Sequence, residues 1–148
     1  MADAVIVSTA RTAIGTAFKG SLIDVDGMDL GTKVVAEAVA RAGVDPALVD
    51  DIVLGEALYG GGDIARYAAT ECGMESVPGL AHNRHCASGL AAVATAAGSI
   101  RSDMDRVVVA GGVQASSTSP RATRRVPGTD DWSDWMSPTH RDRPANPL

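Results

Sequence analysis

Aromatic residues are scarce in this chain: its 148 residues include one Phe, two Tyr and two Trp. A core of the size that length allows must therefore be built from Ala, Val, Ile and Leu, within a hydrophobic content of 45%. Cysteine is nearly absent too. Two residues, in a chain of cytoplasmic character, point to free thiols rather than a disulfide. Positive charge is in deficit, and a formal net charge of −5 excludes the basic footprint that nucleic-acid binding requires. Small anionic ligands stay open, because local N–H groups and a few arginines bind them whatever the net charge.

No stretch approaches the ~20 apolar residues of a membrane-spanning helix. Met1 to Val7 shows no basic region followed by an apolar run, so no secretory signal is read and the cytoplasm is the expected location. No Gly-Lys-Ser/Thr element occurs, and no Gly-x-Gly-x-x-Gly opens the first helix. Gly55, Gly60-Gly61-Gly62 and Gly111-Gly112 are thus weak as phosphate or dinucleotide loops. No internal repeat is present.

What remains is an alternation of strands and helices. Ala4–Ser8 is a β-branched run and reads as a central strand, followed by a long aperiodic excursion from Thr9 to Gly27. An excursion of that length is usually functional or an assembly contact. Leu30, Val34, Val35, Ala38, Val39 and Ala42 form a helical stripe over Met28–Ala42, stopped by Gly43, and Asp45-Pro46 starts a short helical turn. Ile52-Val53-Leu54 marks a second buried strand. Asp63 then caps a helix over Ile64–Cys72. Leu80–His85 reads as a third strand, Ala87 to Ile100 as a helix of small residues, and Arg106–Ala110 as a fourth strand. The small-residue helix has little polar face and is expected to be enclosed by protein. This order predicts an α/β fold with a mostly parallel sheet and helices on both faces.

From about Ser116 the character changes. Five of the seven prolines and both tryptophans, Trp132 and Trp135, fall in residues 116–148. Tryptophan is costly to leave in water, so this segment is expected to dock against another surface. Arg121, Arg124, Arg125, Arg141 and Arg143 read as a solvated or subunit-contacting face, with a phosphorylated ligand as the alternative.

The chemistry concentrates in Ala81-His82-Asn83-Arg84-His85-Cys86-Ala87-Ser88-Gly89-Leu90. Cys86 falls between a strand and the first turn of a helix, where unpaired N–H groups favour an anion. The expectation is a thiol that ionises more readily than a free one at ~8.5. A small core residue is the bland alternative; Ser88-Gly89, permitting close approach, favours a nucleophile. Cys72, on an alanine-rich helix face, reads as structural. His82 and His85 fall on opposite faces of a strand and have no second Cys/His pair to complete a tetrahedral site, so no metal is expected. His140 reads as a surface or assembly residue.

The sequence resembles the amino-terminal part of the thiolases. The resemblance rests on Arg11-Thr12 with Ile14-Gly15 and Gly20, on Asn83-Arg84-x-Cys86-Ala87-Ser88-Gly89-Leu90, and on Ala110-Gly111-Gly112. The related ketosynthases surround their cysteine differently. Ala13 stands where a proline is frequent, and Gln114-Ala115-Ser116-Ser117 where Glu-Ser-Met-Ser is common. The resemblance implies that Cys86 accepts the acyl group in a 3-oxoacyl-CoA thiolase, by thiolysis or Claisen condensation, with coenzyme A and acyl-CoA as substrates and no resident cofactor. It divides the chain into a nucleophile-bearing half-domain, 1–115, and the start of a loop region, 116–148. The tail from Trp132 to His140 looks like that of some bacterial thiolases acting on bulky acyl-CoA, in fatty acid or steroid degradation.

The same resemblance implies a gap. The family's histidine base, second cysteine and assisting asparagine come from a later half, as does the last strand of this first domain with its preceding helix. A complementary carboxy-terminal thiolase half, on a second chain or in a longer one, is therefore the expected partner, together with an oligomer. Two other readings stand beside it: a non-catalytic thiolase-like subunit for assembly or acyl-CoA binding, and a carbon–carbon lyase of CoA esters using a different base.

Overall fold

The structure, a computed structural model, describes residues 3–59 and 62–135. Among them three parallel strands, β1 (Asp51–Gly55), β2 (Gly79–His82) and β3 (Val108–Gly112), form one sheet in the order β2-β1-β3. Ile52 pairs with Gly79 on one side and with Val109 on the other. Helices α1 (Gly27–Ala42) and α2 (Ile64–Glu71) cover one face, and α3 (Ser88–Arg101) covers the other. The α/β class and the parallel sheet follow the expectation from the alternation of elements.

Local chemistry sets the boundaries. Asp26 caps α1, its carboxylate accepting from Met28 N at 2.8 Å, and Gly43 ends the helix at φ 64°. Asp45 accepts from Ala47 N at 3.0 Å and opens a single 3-10 turn at Pro46–Leu48. Asp63 caps α2 through Arg66 N at 3.0 Å. The last residue of the expected second helix, Cys72, is its C-cap rather than part of it.

Side-chain alternation along β1 divides the core. Ile52 and Leu54 join Val35, Ile64, Ala68 and Met74 beneath α1 and α2. Val53 is buried toward the opposite layer, where Ala91, Ala92 and Ala96 of α3 are also buried. The core is aliphatic, as the shortage of aromatics requires; Tyr59 is its one buried ring, and its hydroxyl accepts from Ala115 N at 3.1 Å.

Three expectations are corrected. Ala4–Ser8 forms no strand, and Val5, Ile6 and Val7 are 72%, 77% and 71% exposed. Its backbone has no ladder partner among the described residues; Ser8 Oγ donates to Ala38 O at 2.7 Å and Arg41 Nη1 to Thr9 O at 3.0 Å, holding the segment against α1. Helix α3 is covered on one side only: Leu90 is 77% exposed, because no element among the described residues packs on its outer face. Strand β3 begins at Val108 rather than Arg106 and ends in Gly111-Gly112.

Beyond Ala115 the chain forms an exposed antiparallel hairpin, β4 (Thr123–Arg125) and β5 (Trp132–Asp134). Trp132 and Trp135 are exposed on it. Arg121, Arg124 and Arg125 are exposed as well, and Arg125 pairs with Asp130 at 3.0 Å. His140, Arg141, Arg143 and the prolines after Trp135 lie outside the described residues, as do Gly60 and Gly61. No helix among the described residues is long and apolar enough to cross a membrane.

Candidate active site around Cys86

The site is the turn that carries the chain from the end of β2 to the start of α3. Its residues are held from three sides. Asn83 Nδ2 donates to Ala57 O at 3.3 Å, reaching the segment after β1, while its Oδ1 accepts from His85 N at 3.0 Å. His85 has φ 49°, a left-handed conformation uncommon outside glycine and concentrated at functional sites. Ser88, buried at the first position of α3, accepts from Arg84 N at 2.8 Å and donates to His85 O at 2.6 Å. Its hydroxyl pins the turn that the N-cap residue, Ala87, has no side chain to hold.

Within that frame Cys86 is exposed and lies two residues before α3 begins. The strand-to-helix position read from the sequence is thus reproduced, with β2 ending at His82 instead of His85. An exposed thiol on a turn fixed by Asn83 and Ser88 is open to attack an incoming electrophile, at the end of a helix where N–H dipoles favour negative charge.

Cys72 differs in every respect. It packs against the aliphatic core, its Sγ lies 3.7 Å from Thr32 O, and burial pushes its thiol pKa up, with the Glu71 charge adding to the effect. That environment suits a structural residue. His82 and His85 flank the turn on the β2 side. His82 Nδ1 is enclosed and has no hydrogen-bond partner among the described residues.

Two features that place the site escaped the sequence reading. Gly55 ends β1 directly beneath α3: a Cβ there would meet Ser88 Cβ at 2.6 Å and Gly89 N at 2.8 Å. The helix start can settle on the sheet only because this residue has no side chain. Glu56 follows it and is 2% exposed. Its carboxylate accepts from Ile64 N at 2.7 Å and Asp63 N at 3.3 Å, tying the end of β1 to the N-terminus of α2. The signal was available in Leu54-Gly55-Glu56: an acidic residue just past a buried strand, shortly before a helix start, is placed to cap it.

Comparison with known proteins identifies the family. Residues 4–134 match the family described as "Thiolase, N-terminal domain". The acetyl-CoA acetyltransferase of Cupriavidus necator is 41% identical over 134 residues, which is 88% of this chain and 33% of that protein. That of Escherichia coli is 41% identical over 123 residues, 81% of this chain and 31% of the relative. The crystal structure of the Bacillus anthracis acetyl-CoA acetyltransferase superposes with a TM-score of 0.78 at 40% identity, covering 83% of this chain and 32% of that one. The chain belongs to the thiolase family. It spans about a third of the length of these relatives.

Proposed function

We propose that this chain is the nucleophile-bearing part of a 3-oxoacyl-CoA thiolase and that Cys86 carries the acyl group. The observation that bears most weight is the exposed Cys86 thiol on the β2–α3 turn, pinned by Asn83 and Ser88. Family membership and relatives named as acetyl-CoA acetyltransferases support the same reading.

In the degradative direction Cys86 Sγ, as thiolate, attacks the 3-keto carbon of a 3-oxoacyl-CoA. The bond between the second and third carbons breaks, the electron pair passes to the departing acetyl-CoA, and that carbon takes up a proton. A shortened acyl thioester remains on Cys86. The sulfur of a second CoA then attacks this thioester, releasing the new acyl-CoA and restoring the thiolate. The covalent intermediate divides one difficult transfer into two. The Cys86 backbone N–H, next to the thioester carbonyl, is suited to hold its oxygen as negative charge develops.

The proton steps need an acid and a base, which this reading assigns to the thiolase polypeptide beyond the third represented here. The isolated chain is then inactive in turnover, CoA is a substrate rather than a resident cofactor, and the working form is a cytoplasmic assembly with that complement. The deciding experiment is incubation of the complemented protein with an acyl-CoA, followed by intact mass and peptide mapping. An acyl adduct on Cys86, lost in Cys86→Ser, is the expected result.

The chain's limited share of its relatives' length favours one second reading, a non-catalytic thiolase-like subunit serving assembly or acyl-CoA binding. It predicts tight association with the complement and no adduct at Cys86.

A further inference from the structure

The turn that carries Cys86 is held from outside by the two residues that follow β1. Glu56 N donates to His82 O at 3.1 Å, closing the end of β2 onto that of β1. Ala57 O accepts from Asn83 Nδ2 at 3.3 Å, and Asn83 Oδ1 accepts in turn from His85 N at 3.0 Å. Cys86 is the next residue. A shift of Glu56–Ala57 therefore reaches the residue before the thiol through two hydrogen bonds.

The Glu56 side chain fixes the same two residues from the other direction. It is 2% exposed, and neither ion pair among the described residues includes it. Backbone meets it instead: Oε2 accepts from Ile64 N at 2.7 Å and Oε1 from Asp63 N at 3.3 Å. A carboxylate is costly to bury, and donors at a helix N-terminus offset that cost. The β1–α2 connection is thus anchored where it leaves the sheet and where it enters α2.

Unusual backbone marks both ends of this path. Asp63, bonded to Glu56, has φ 50°, and His85, bonded to Asn83, has φ 49°. Left-handed backbone outside glycine persists where neighbouring groups over-determine it. One acceptor side chain stands at each end, Glu56 for the Asp63 N–H and Asn83 for the His85 N–H.

We propose that Glu56 is a positioning residue for Cys86. By clamping the β1–α2 connection, its carboxylate holds the Ala57 carbonyl that orients Asn83, and through Asn83 it holds His85 and the thiol that follows. The effect is to keep Cys86 before the start of α3, where N–H dipoles favour the thiolate. This inference rests on the acyl-transfer reading of Cys86 given above and adds a residue to it. A group that only capped α2 would change stability and leave the thiol alone.

The test is timed iodoacetamide labelling of the full chain, read by peptide mass. Glu56→Ala and Asn83→Ala are each expected to slow Cys86 alkylation at least about threefold at neutral pH. The double variant should be no slower than the slower single one, since both act on one path. Glu56→Gln, which keeps one acceptor for the two N–H groups, should fall between Glu56→Ala and the parent. Asp26→Ala is the control: it loses the cap on α1, should melt lower, and should label at the parent rate. An unchanged or faster rate in Glu56→Ala overturns the proposal. So do additive losses in the double variant, or an equal slowing in Asp26→Ala.

Where Glu56→Ala does not fold, amide hydrogen exchange on Asn83→Ala decides, because coupling between two sites is reciprocal. Asn83 is exposed, and its loss should speed exchange at Ile64 N, across Glu56, at least about threefold while Val35 in α1 keeps its rate. Unchanged exchange at Ile64 overturns the proposal. An acyl adduct on Cys86 is read separately, on the complemented protein after exposure to an acyl-CoA. Coupled labelling without an adduct refutes the catalytic reading alone, and an adduct formed on Glu56→Ala at the parent rate overturns the positioning role alone.

Discussion

Replacing Gly55 by Ala tests how the fold places the thiol. The added methyl would sit 2.6 Å from Ser88 Cβ, 2.7 Å from Ser88 C and 2.8 Å from Gly89 N. Carbon atoms in contact prefer about 3.5–4.0 Å, so the start of α3 must retreat by roughly 1 Å. Backbone atoms are among those struck and cannot rotate aside. The penalty is therefore set near the upper end for overpacking, about 2–3 kcal/mol. With each kcal/mol moving the melting temperature by about 2–4 °C in a chain near this size, Gly55→Ala should melt roughly 4–12 °C lower. The retreat also pulls on the Ser88 bonds to Arg84 N and His85 O, so the rate of Cys86 alkylation should change with it. Gly98→Ala is the control. It lies within α3 with open space around its Cβ position, and should stabilise by about 0.4–1 kcal/mol. Thermal unfolding by circular dichroism, with timed iodoacetamide labelling, reads both quantities. If Gly55→Ala melts within about 2 °C of the parent protein, or alkylates at the same rate, the close seating of α3 on β1 is wrong.

Three further outcomes are expected. Iodoacetamide should modify exposed Cys86 well before Cys72, whose thiol is pushed up by burial; equal rates by peptide mass would contradict the two environments. Glu56→Ala strands the Ile64 and Asp63 N–H groups and should cost about 2–4 kcal/mol in denaturant titration, against less for Glu56→Gln, which keeps an acceptor; equal losses would show that the carboxylate does not act as the cap. Asp50 is held below the usual carboxylate range by the N–H groups of Val107 and Arg106, at 2.9 and 2.7 Å. Its stabilisation is present above the unfolded value of about 3.9 and is lost as pH falls through the lower folded value. Asp50→Ala should therefore flatten the acid limb of the stability–pH curve. Asp51, raised mainly by burial, has the opposite sign but is common to both proteins and cancels in the comparison. An unchanged acid limb would remove Asp50 as a clamp between β1 and β3.

Much of the fold was legible because its signals are local. The helical stripe from Leu30 to Ala42, the cap Asp63, and the run Ile52-Val53-Leu54 each depend on neighbours within a few residues, and all appear as elements or caps in the structure. Cys86 was legible for the same reason, since strand, turn and helix meet there in ten residues. The failures are non-local. Ala4–Ser8 has the composition of a strand, but a strand needs a partner, and none stands beside it among the described residues. The outer face of α3 is apolar in composition and open in fact, because no described element packs on it. Gly55 meets Ser88 across more than thirty residues of separation, beyond any pattern of spacing, whereas Glu56 caps Ile64 N only eight residues on.

The central claim is that Cys86 becomes acylated. Intact mass of the complemented protein after brief exposure to an acyl-CoA measures this directly. The account predicts one acyl group per chain, mapped to the peptide containing Cys86, removed by added CoA and absent from Cys86→Ser. An unmodified Cys86 in a complex that turns over 3-oxoacyl-CoA would contradict it.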